Sequence, residues 1–531
     1  MSGQSLPPGL RGTARWTTVN ASEALPGTVT PLTWSYFAPA LEGGLRLSFH
    51  ELGVLRGAEL ATPDIPDDRF LELFYGKIAL NTDVFRMAAD RIPGTSGDAL
   101  DEQLFAAPPT GAAPAPKSWA ARRRYPVIAG RFPVAATRVV GRVHALRDET
   151  DALWRHTVAS PPRGIPAAVG VIRTAQDLLL RNFHWHGVGT FLAQGCFDRL
   201  AQLCRACGEP GLELALLAGF TDFEEKELVS DLWALVAGTI DLPAFLATHG
   251  FHGQGAAELA VPSWRVDPTP VERIVATRRA MTEPQEDPHT MQAAAAARLR
   301  AALRGSRLLQ ARLILGAGRK FMPLREVGRS GILRCADTAR LAAHVIGTEL
   351  CAQGRLRDAT DVVYLTVDEL QDPAPRGWLE VIEQRRLLHQ RHELVVLPDR
   401  WQGSPERTTP TPMTVAGRFA DELAGIAAST GIVEGRARVL DDPDDQDIEE
   451  GEILVCRSTD PSWAVLFSLA AGLVIDIGSP LSHGAILARE LGLPCVINTR
   501  HATTQIHTGD RIRVDGTNGT VTVLDRLSAG I

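Results

Sequence analysis

The sequence predicts a multidomain protein, mainly α-helical through its N-terminal and middle regions, followed by a C-terminal α/β domain. Three observations predict it. The 531 residues leave room for several domains. Stretches with apolar residues at helical spacing dominate between about Ser118 and Glu393. After residue 414 the pattern changes to short β-branched runs separated by turn residues.

Residues 1–40 are rich in Pro, Thr and Trp and read as extended chain and turns. The stretch from Leu41 to Ala106 is amphipathic, and Arg69 to Tyr75 reads as a helix broken at Gly76. Residues 106–117 (AAPPTGAAPAPK) are a loop with no apolar face to bury. Helical spacing then runs from Ser118 to Thr248, including Thr174–Phe183 and Glu213–Phe220. Residues 262–290 read as an irregular connection. Thr290 to Gly316, rich in Ala, Leu and Arg and free of Pro, predicts the clearest helix. Further helices are expected over Cys335–Ala352 and Trp378–Glu393, with a short β-type run at Asp361–Thr366 between them.

Residues 398–418, with their PDRWQGSPERTTPTPMT opening, read as a linker between a helical acceptor or substrate domain (1–397) and a swivelling domain (419–531). In the last domain, Gly431–Leu440, Gly451–Cys456, Leu473–Asp476, Cys495–Asn498, Arg511–Asp515 and Thr520–Leu524 predict strands. Asp460-Pro461 opens one interrupting helix as N-cap and first residue, and Ser482 caps the other.

Composition excludes several classes. The charge is −7, from 55 basic and 62 acidic residues, which argues against a nucleic-acid partner. No apolar run approaches the ~20 residues needed to span a bilayer, so no membrane role is expected. The first residues show no basic n-region and no apolar h-region, so no signal peptide is expected. Seven cysteines, sparse and odd in number, fit a reducing compartment, and the chain reads as cytoplasmic. Cys204-Arg-Ala-Cys207 lacks a second half and reads as packed thiols, and His184 and His186, at i,i+2, would point apart on a helix. No metal site is expected.

The most informative segment is Leu473 to Ile497 (LVIDIGSPLSHGAILARELGLPCVI), which reads as strand, turn, helix, turn, strand. His483 then stands at a helix N-terminus, beside backbone N–H groups with no intrahelical partner. That setting attracts an anion and disfavours imidazolium, leaving a neutral, nucleophilic ring. A phosphoryl group on the ring would be held by the helix end and the Ser482 hydroxyl.

SHGAILARELGLP resembles the phosphohistidine signature of the phosphoenolpyruvate-utilising enzymes, among them phosphoenolpyruvate synthase, rifampin phosphotransferase and phenylphosphate synthase. The flanking frame is similar too, from Ile426-Ala-Ala-Ser-Thr-Gly through Thr459-Asp-Pro-Ser-Trp to Val514-Asp-Gly-Thr-Asn-Gly. The resemblance implies that His483 is the phosphoacceptor of a swivelling domain. Ser479 departs from the family, which usually has a second Gly there.

Weaker motifs resemble the middle domain of the rifampin phosphotransferase-like branch. They are the opening at Trp16, Phe74-Tyr-Gly-Lys with Ile92-Pro-Gly-Thr-Ser, Gly250-Phe-His-Gly with Trp264-Arg-Val-Asp-Pro, Leu324-Arg-Glu-Val-Gly-Arg, and Asp361 to Leu370. Arg325 and Arg329, at i,i+4, share a helix face and could hold a phosphoryl group leaving His483. His252 and Glu258 are candidates for the base that deprotonates an acceptor hydroxyl, and Arg265 for a phosphate or carboxylate clamp.

Fused members of the family place an ATP-grasp domain before this opening, and Trp16 stands too early to leave room for one. The resemblance therefore implies a carrier-and-acceptor component served by a separate ATP-grasp nucleotide-binding protein. ATP and Mg²⁺ would act through that partner, in a dikinase-type reaction, with no cofactor evident on this chain. The acceptor would be a hydroxyl of a small organic molecule, reached by a swing on the linker. The alternative is a non-catalytic phosphocarrier or a small-molecule-binding regulatory protein.

Overall fold

The computed structural model describes the chain except residues 1–5, 20, 22–24, 26, 106–116, 218–223, 279–287, 372–376, 407–420, 441–447, 450, 460–462, 468, 481 and 528–531. Inside helices it also omits the side chains of residues 102, 103, 120, 224–226, 277, 278, 288–291, 464, 465 and 483. Two compact units emerge. One comprises residues 1–188, 255–262 and 327–414, and the other 189–254, 263–326 and 415–531. The protein is multidomain, mostly helical in its N-terminal and middle regions, with a C-terminal sheet region.

The first unit is built on long helices, among them Pro31–Glu51, Tyr125–Ala159 and most of Leu324–Ala352. Residues 31–40, expected to be extended, form the start of the first of these. Thr30 caps it by accepting from the Thr33 amide, and Pro31 at the first turn needs no N–H partner. Gly44 lets this helix cross the one that carries His184. A Cβ there would lie 2.4 Å from Phe183 Cβ.

A small sheet accompanies the helices. Its strands are β1 (Arg15–Thr17), β2 (Leu71–Phe74), β3 (Lys77–Asn81) and β4 (Arg400–Gln402), in the order β2-β3-β1-β4. The helix expected at Arg69–Tyr75 is therefore a strand. Tyr75 and Gly76 take φ of 48° and 70°, which makes the two-residue hairpin turn whose twist suits paired strands. The Leu/Phe spacing of this segment fits either period, and the turn decides. Residues 400–402, read as linker, pair with β1 instead. The β-type run at Asp361 is a 3₁₀ helix, Ala359–Tyr364, whose cap Asp358 accepts from the Thr360 amide.

In the second unit the helix expected over Thr290–Gly316 is two helices, Pro288–Ala302 and Gly305–Phe321. Arg304 is extended and Gly305 has φ 57°, and together they break the run. The C-terminal residues form an eight-stranded sheet of β5 (Glu422–Ala424), β6 (Ile426–Ser429), β7 (Ile432–Leu440), β8 (Ile453–Cys456), β9 (Gly472–Ile475), β10 (Cys495–Ile497), β11 (Arg511–Asp515) and β12 (Thr520–Asp525). Their order is β5-β12-β11-β7-β8-β9-β10-β6. Strands β7 to β10 are parallel, and the flanking pairs are antiparallel.

The parallel strands are buried on both faces, which is why they read as unbroken apolar runs. Ile453, Val455, Val474 and Val496 join one core with Ile512 and Val521. Leu454, Cys456, Leu473 and Ile475 join the other. That second core also takes in Leu228, Trp233, Phe245, Trp264 and Ile274, from residues 224–254 and 263–278 of the same unit.

Candidate functional site

The parallel strands end together, at Leu440, Cys456, Ile475 and Ile497, and the loops that follow them form one edge of the second unit. In open α/β sheets this is the edge where ligands bind. From β9 the chain passes through residues 476–482 into the helix His483–Glu490, with Ser482 as its N-cap. His483 is thus the first helical residue, as expected from the sequence. Ser482 is buried, and its hydroxyl makes no capping bond to the helix.

Three features fix this mouth. Gly484 packs so closely that a Cβ would lie 2.6 Å from Thr459 Oγ1 and 2.7 Å from Ile475 Cδ1. Buried Asp476 ties the start of the loop down. Its Oδ1 accepts from Thr499 Oγ1 (2.8 Å) and the Ala502 amide (2.6 Å), and its Oδ2 from the Thr503 amide (3.1 Å) and the Thr503 hydroxyl. At the other end of the helix, Arg489 donates to the Ala428 carbonyl at 2.8 Å. Burial pushes this guanidinium down to about 10.

Two further arginines stand where the strands end. Arg457 follows β8, and Arg500 lies three residues beyond β10. The Ile477 amide donates to the Arg457 carbonyl, and the Arg500 amide to the Asp476 carbonyl, so both backbones border the loop that leads to His483. Both side chains are exposed, and among the described residues neither is engaged in a hydrogen bond or ion pair. Asn498 and Arg500 take φ of 57° and 67°, a left-handed backbone that non-glycine residues adopt rarely. Sequence reasoning missed Asp476, Arg457 and Arg500. The available signal was their position directly after predicted strands.

The other expected site residues are dispersed. Arg325 is close enough to Arg489 to repel it. Arg329 is one turn further along the helix Leu324–Ala352, in the part that belongs to the first unit. His252 is 1% exposed, enclosed by the rings of Phe251, His249 and Trp264. Arg265 runs beside it, its amide donating to the Gly250 carbonyl. The neighbouring His249 Nε2 lies 2.9 Å from Asp231 Oδ2.

Glu258 belongs to the first unit and is not grouped with His252 there. Its carboxylate accepts from Thr30 Oγ1 (2.7 Å), Thr33 Oγ1 (2.6 Å) and the amides of Thr30 (3.1 Å) and Ala260 (3.0 Å). With its lone pairs so occupied, it fastens residues 255–262 to the head of the Pro31–Glu51 helix. His184 and His186 are packing residues. His184 stacks on Trp185, and burial, reinforced by the charges of His50 and Arg142, pushes its ring down to about 4. Among the described residues no group of three or more His, Cys, Asp or Glu could hold a metal. No helix among them is long and apolar enough to cross a membrane. All seven cysteines are free thiols, and burial raises Cys204 and Cys495 to about 12.

The first unit contains a cavity of 510 Å³. The head of the Pro31–Glu51 helix, strand β2 and the helix Trp378–Glu393 line it, with Trp34, Pro39, Leu71, Leu388, His389 and His392 among the walls. Thr30, which Glu258 holds, is part of this lining.

Comparison with known proteins agrees with the sequence motifs. Residues 448–519 match the family described as PEP-utilising enzyme, mobile domain. Residues 209–326 match the family described as rifampicin phosphotransferase fourth domain. A rifampicin phosphotransferase of Streptomyces sviceus is 30% identical over 321 residues, 57% of this chain and 36% of that protein. One of Bacillus cereus is 33% identical over 212 residues, 39% of this chain and 24% of that protein. An uncharacterised protein of Mycobacterium tuberculosis is 31% identical over 287 residues, 54% of this chain and 31% of that protein. The chain thus matches roughly a third or less of the length of these relatives.

Proposed function

We propose that this chain is the carrier-and-acceptor component of a phosphotransferase. His483 takes a phosphoryl group from a nucleotide-derived donor, held by a separate ATP-grasp protein, and passes it to a hydroxyl of a small organic acceptor. The observation that supports this most is the placement of His483 as the first residue of a helix at the C-terminal edge of a parallel sheet, inside the matched mobile domain. The helix N-terminus favours a neutral imidazole and then an anion upon it.

In the first step an imidazole nitrogen attacks the β-phosphorus of ATP, a P–N bond forms, and AMP leaves with the electron pair of the bridging oxygen; water then cleaves the β–γ bond and releases inorganic phosphate, which leaves one phosphoryl group on the ring. In the second step the acceptor oxygen attacks, an O–P bond forms, and the P–N bond breaks as its hydroxyl proton is lost. The exposed guanidiniums of Arg457 and Arg500, whose backbones border the loop leading to His483, would balance charge on the transferred group. The partner's ATP, with Mg²⁺, supplies the activated phosphoryl group. The cavity of the first unit is the acceptor site of this reading.

The experiment uses ATP labelled in the β-phosphate and an ATP-grasp protein encoded beside this one. Acid-labile label on the wild type and none on His483→Ala is the expected result. Equal labelling of the two proteins, or no label from ATP or phosphoenolpyruvate, would refute the carrier role. Labelled carrier without transfer to any hydroxylated compound would leave a phosphocarrier or regulator.

A further inference from the structure

The charge on the cavity walls narrows what the cavity can hold. Each arginine of the lining is already engaged. Arg69 donates to Glu72 Oε2 (2.8 Å) and to the carbonyls of Pro63 and Asp64 (2.8 and 2.9 Å). Arg385 donates to both oxygens of Glu369 (2.7 and 2.8 Å) and to the Tyr364 carbonyl (2.7 Å). The buried Glu42 of the lining is matched in turn by Arg46, at 2.7 Å.

Two carboxylates remain. Asp64 and Asp368 both line the cavity, both are exposed, and among the described residues neither side chain has a hydrogen-bond or ion-pair partner. Lys77 lies outside the lining. Its ammonium donates to Thr28 Oγ1 at 3.2 Å and faces the charge of Glu393. His389 lines the wall with Nε2 3.4 Å from Glu393 Oε1. The apolar surface comes from Pro31, Trp34, Ala38, Pro39, Leu71 and Leu388.

We infer that this cavity is a binding site for an amphipathic, hydroxyl-bearing molecule that carries an amine, and that it discriminates against carboxylates and other anions. Trp34 and the prolines take an apolar or aromatic body, while Asp64 and Asp368 take the cationic end. Among the described residues of the lining, an anion would meet two carboxylates without partners and no uncommitted guanidinium. An ordinary metabolite acid or a phosphorylated sugar is therefore the wrong class of ligand. The inference rests on the acceptor reading for the use made of the ligand, but not for its binding.

The test is calorimetric titration of the full chain at pH 8, above the ordinary imidazole range, with three phenols that differ in charge. They are tyramine (cationic), para-ethylphenol (neutral) and para-hydroxyphenylacetate (anionic). Tyramine should bind about tenfold tighter than the anion or better, as two carboxylates a few ångströms from a cation in a partly wet site imply. Asp64→Asn with Asp368→Asn should bring tyramine and the anion within about threefold of each other and leave para-ethylphenol unchanged. Equal or tighter binding of the anion overturns the inference. So does a preference that survives in the double variant, or no binding of any of the three at millimolar concentration. Labelling of His483 is read separately, so failure of the carrier role leaves this result standing, and the reverse holds too.

Discussion

Asp476→Asn tests whether the loop before His483 is held as described. The carboxylate accepts four hydrogen bonds in two pairs, one pair on each oxygen, and each pair includes a backbone amide, Ala502 or Thr503. Asparagine has one carbonyl oxygen and one NH₂. Whichever way the amide lies, its NH₂ faces a backbone N–H that cannot turn away, so one buried donor loses its acceptor, at about 1–3 kcal/mol. The bonds that survive lose their charge assistance, for roughly 1 kcal/mol more. The expected local cost is about 3 kcal/mol, or roughly a hundredfold in an opening equilibrium. Hydrogen exchange of the amides of Ala502 and Thr503, followed by mass spectrometry on the full chain, should accelerate by about that factor. Thr503→Val keeps the carboxylate and removes one hydroxyl donor, so it should cost only about 1 kcal/mol. Acceleration of less than about fivefold in Asp476→Asn would refute the network as the anchor of the loop.

Other outcomes follow from the same geometry. His184, held near 4 against an ordinary value of about 6.5, is neutral in the fold. Its contribution is fully present above pH 6.5 and declines as the unfolded chain takes up a proton, reaching a loss of roughly 3 kcal/mol below pH 4. Urea unfolding of wild type and His184→Gln across pH 4 to 7 should show a difference that shrinks as pH falls, and a constant difference would contradict it. Gly484→Ala forces a Cβ to within 3 Å of Thr459 and Ile475, so it should cost about 1–3 kcal/mol in stability and slow phosphorylation of His483. Arg457→Ala and Arg500→Ala remove exposed side chains that have no hydrogen-bond or ion-pair partner among the described residues, so each should leave the unfolding midpoint unchanged while slowing phosphorylation about tenfold or more. A parallel loss of stability would assign them to the fold instead.

Legibility in the sequence followed the kind of force that shapes each element. The parallel strands were legible because burial on both faces leaves nothing but apolar residues in ILVC and GLVI. The helix at His483 was legible because its cap, its glycine stop and the following Pro are all local. The hairpin at Tyr75 was not, because a left-handed tyrosine has no strong sequence mark. The break at Arg304 was hidden because the flanking sequences both favour helix. Among the candidate site residues, the position of His483 at a helix N-terminus was legible because the turn and cap before it are local. Glu258 was assigned as a base although Thr30 and Thr33 occupy its oxygens, since partners more than two hundred residues distant in sequence leave no local trace.

The core of the second unit bears on how His483 could reach an acceptor. One face of the eight-stranded sheet is covered by Leu228, Leu232, Trp233, Phe245, Trp264 and Val271, in a single cluster with Leu454, Leu473 and Ile475 beneath the His483 helix. Burying a large apolar side chain contributes about 1.5–3 kcal/mol. Stripping these six from the sheet would therefore cost on the order of 10 kcal/mol. An excursion of that height is populated at roughly one part in ten million, too seldom to serve as a step in each turnover. A phosphoryl group that travels on His483 therefore travels with the helices of residues 224–278 as well as the strands. On the proposed reading, the parts of the matched segment 209–326 that lie in the second unit, 209–254 and 263–326, then belong to the carrying body. On this argument a swing confined to residues 398–418 is too little, because the covering helices enter the chain nearly two hundred residues before that segment.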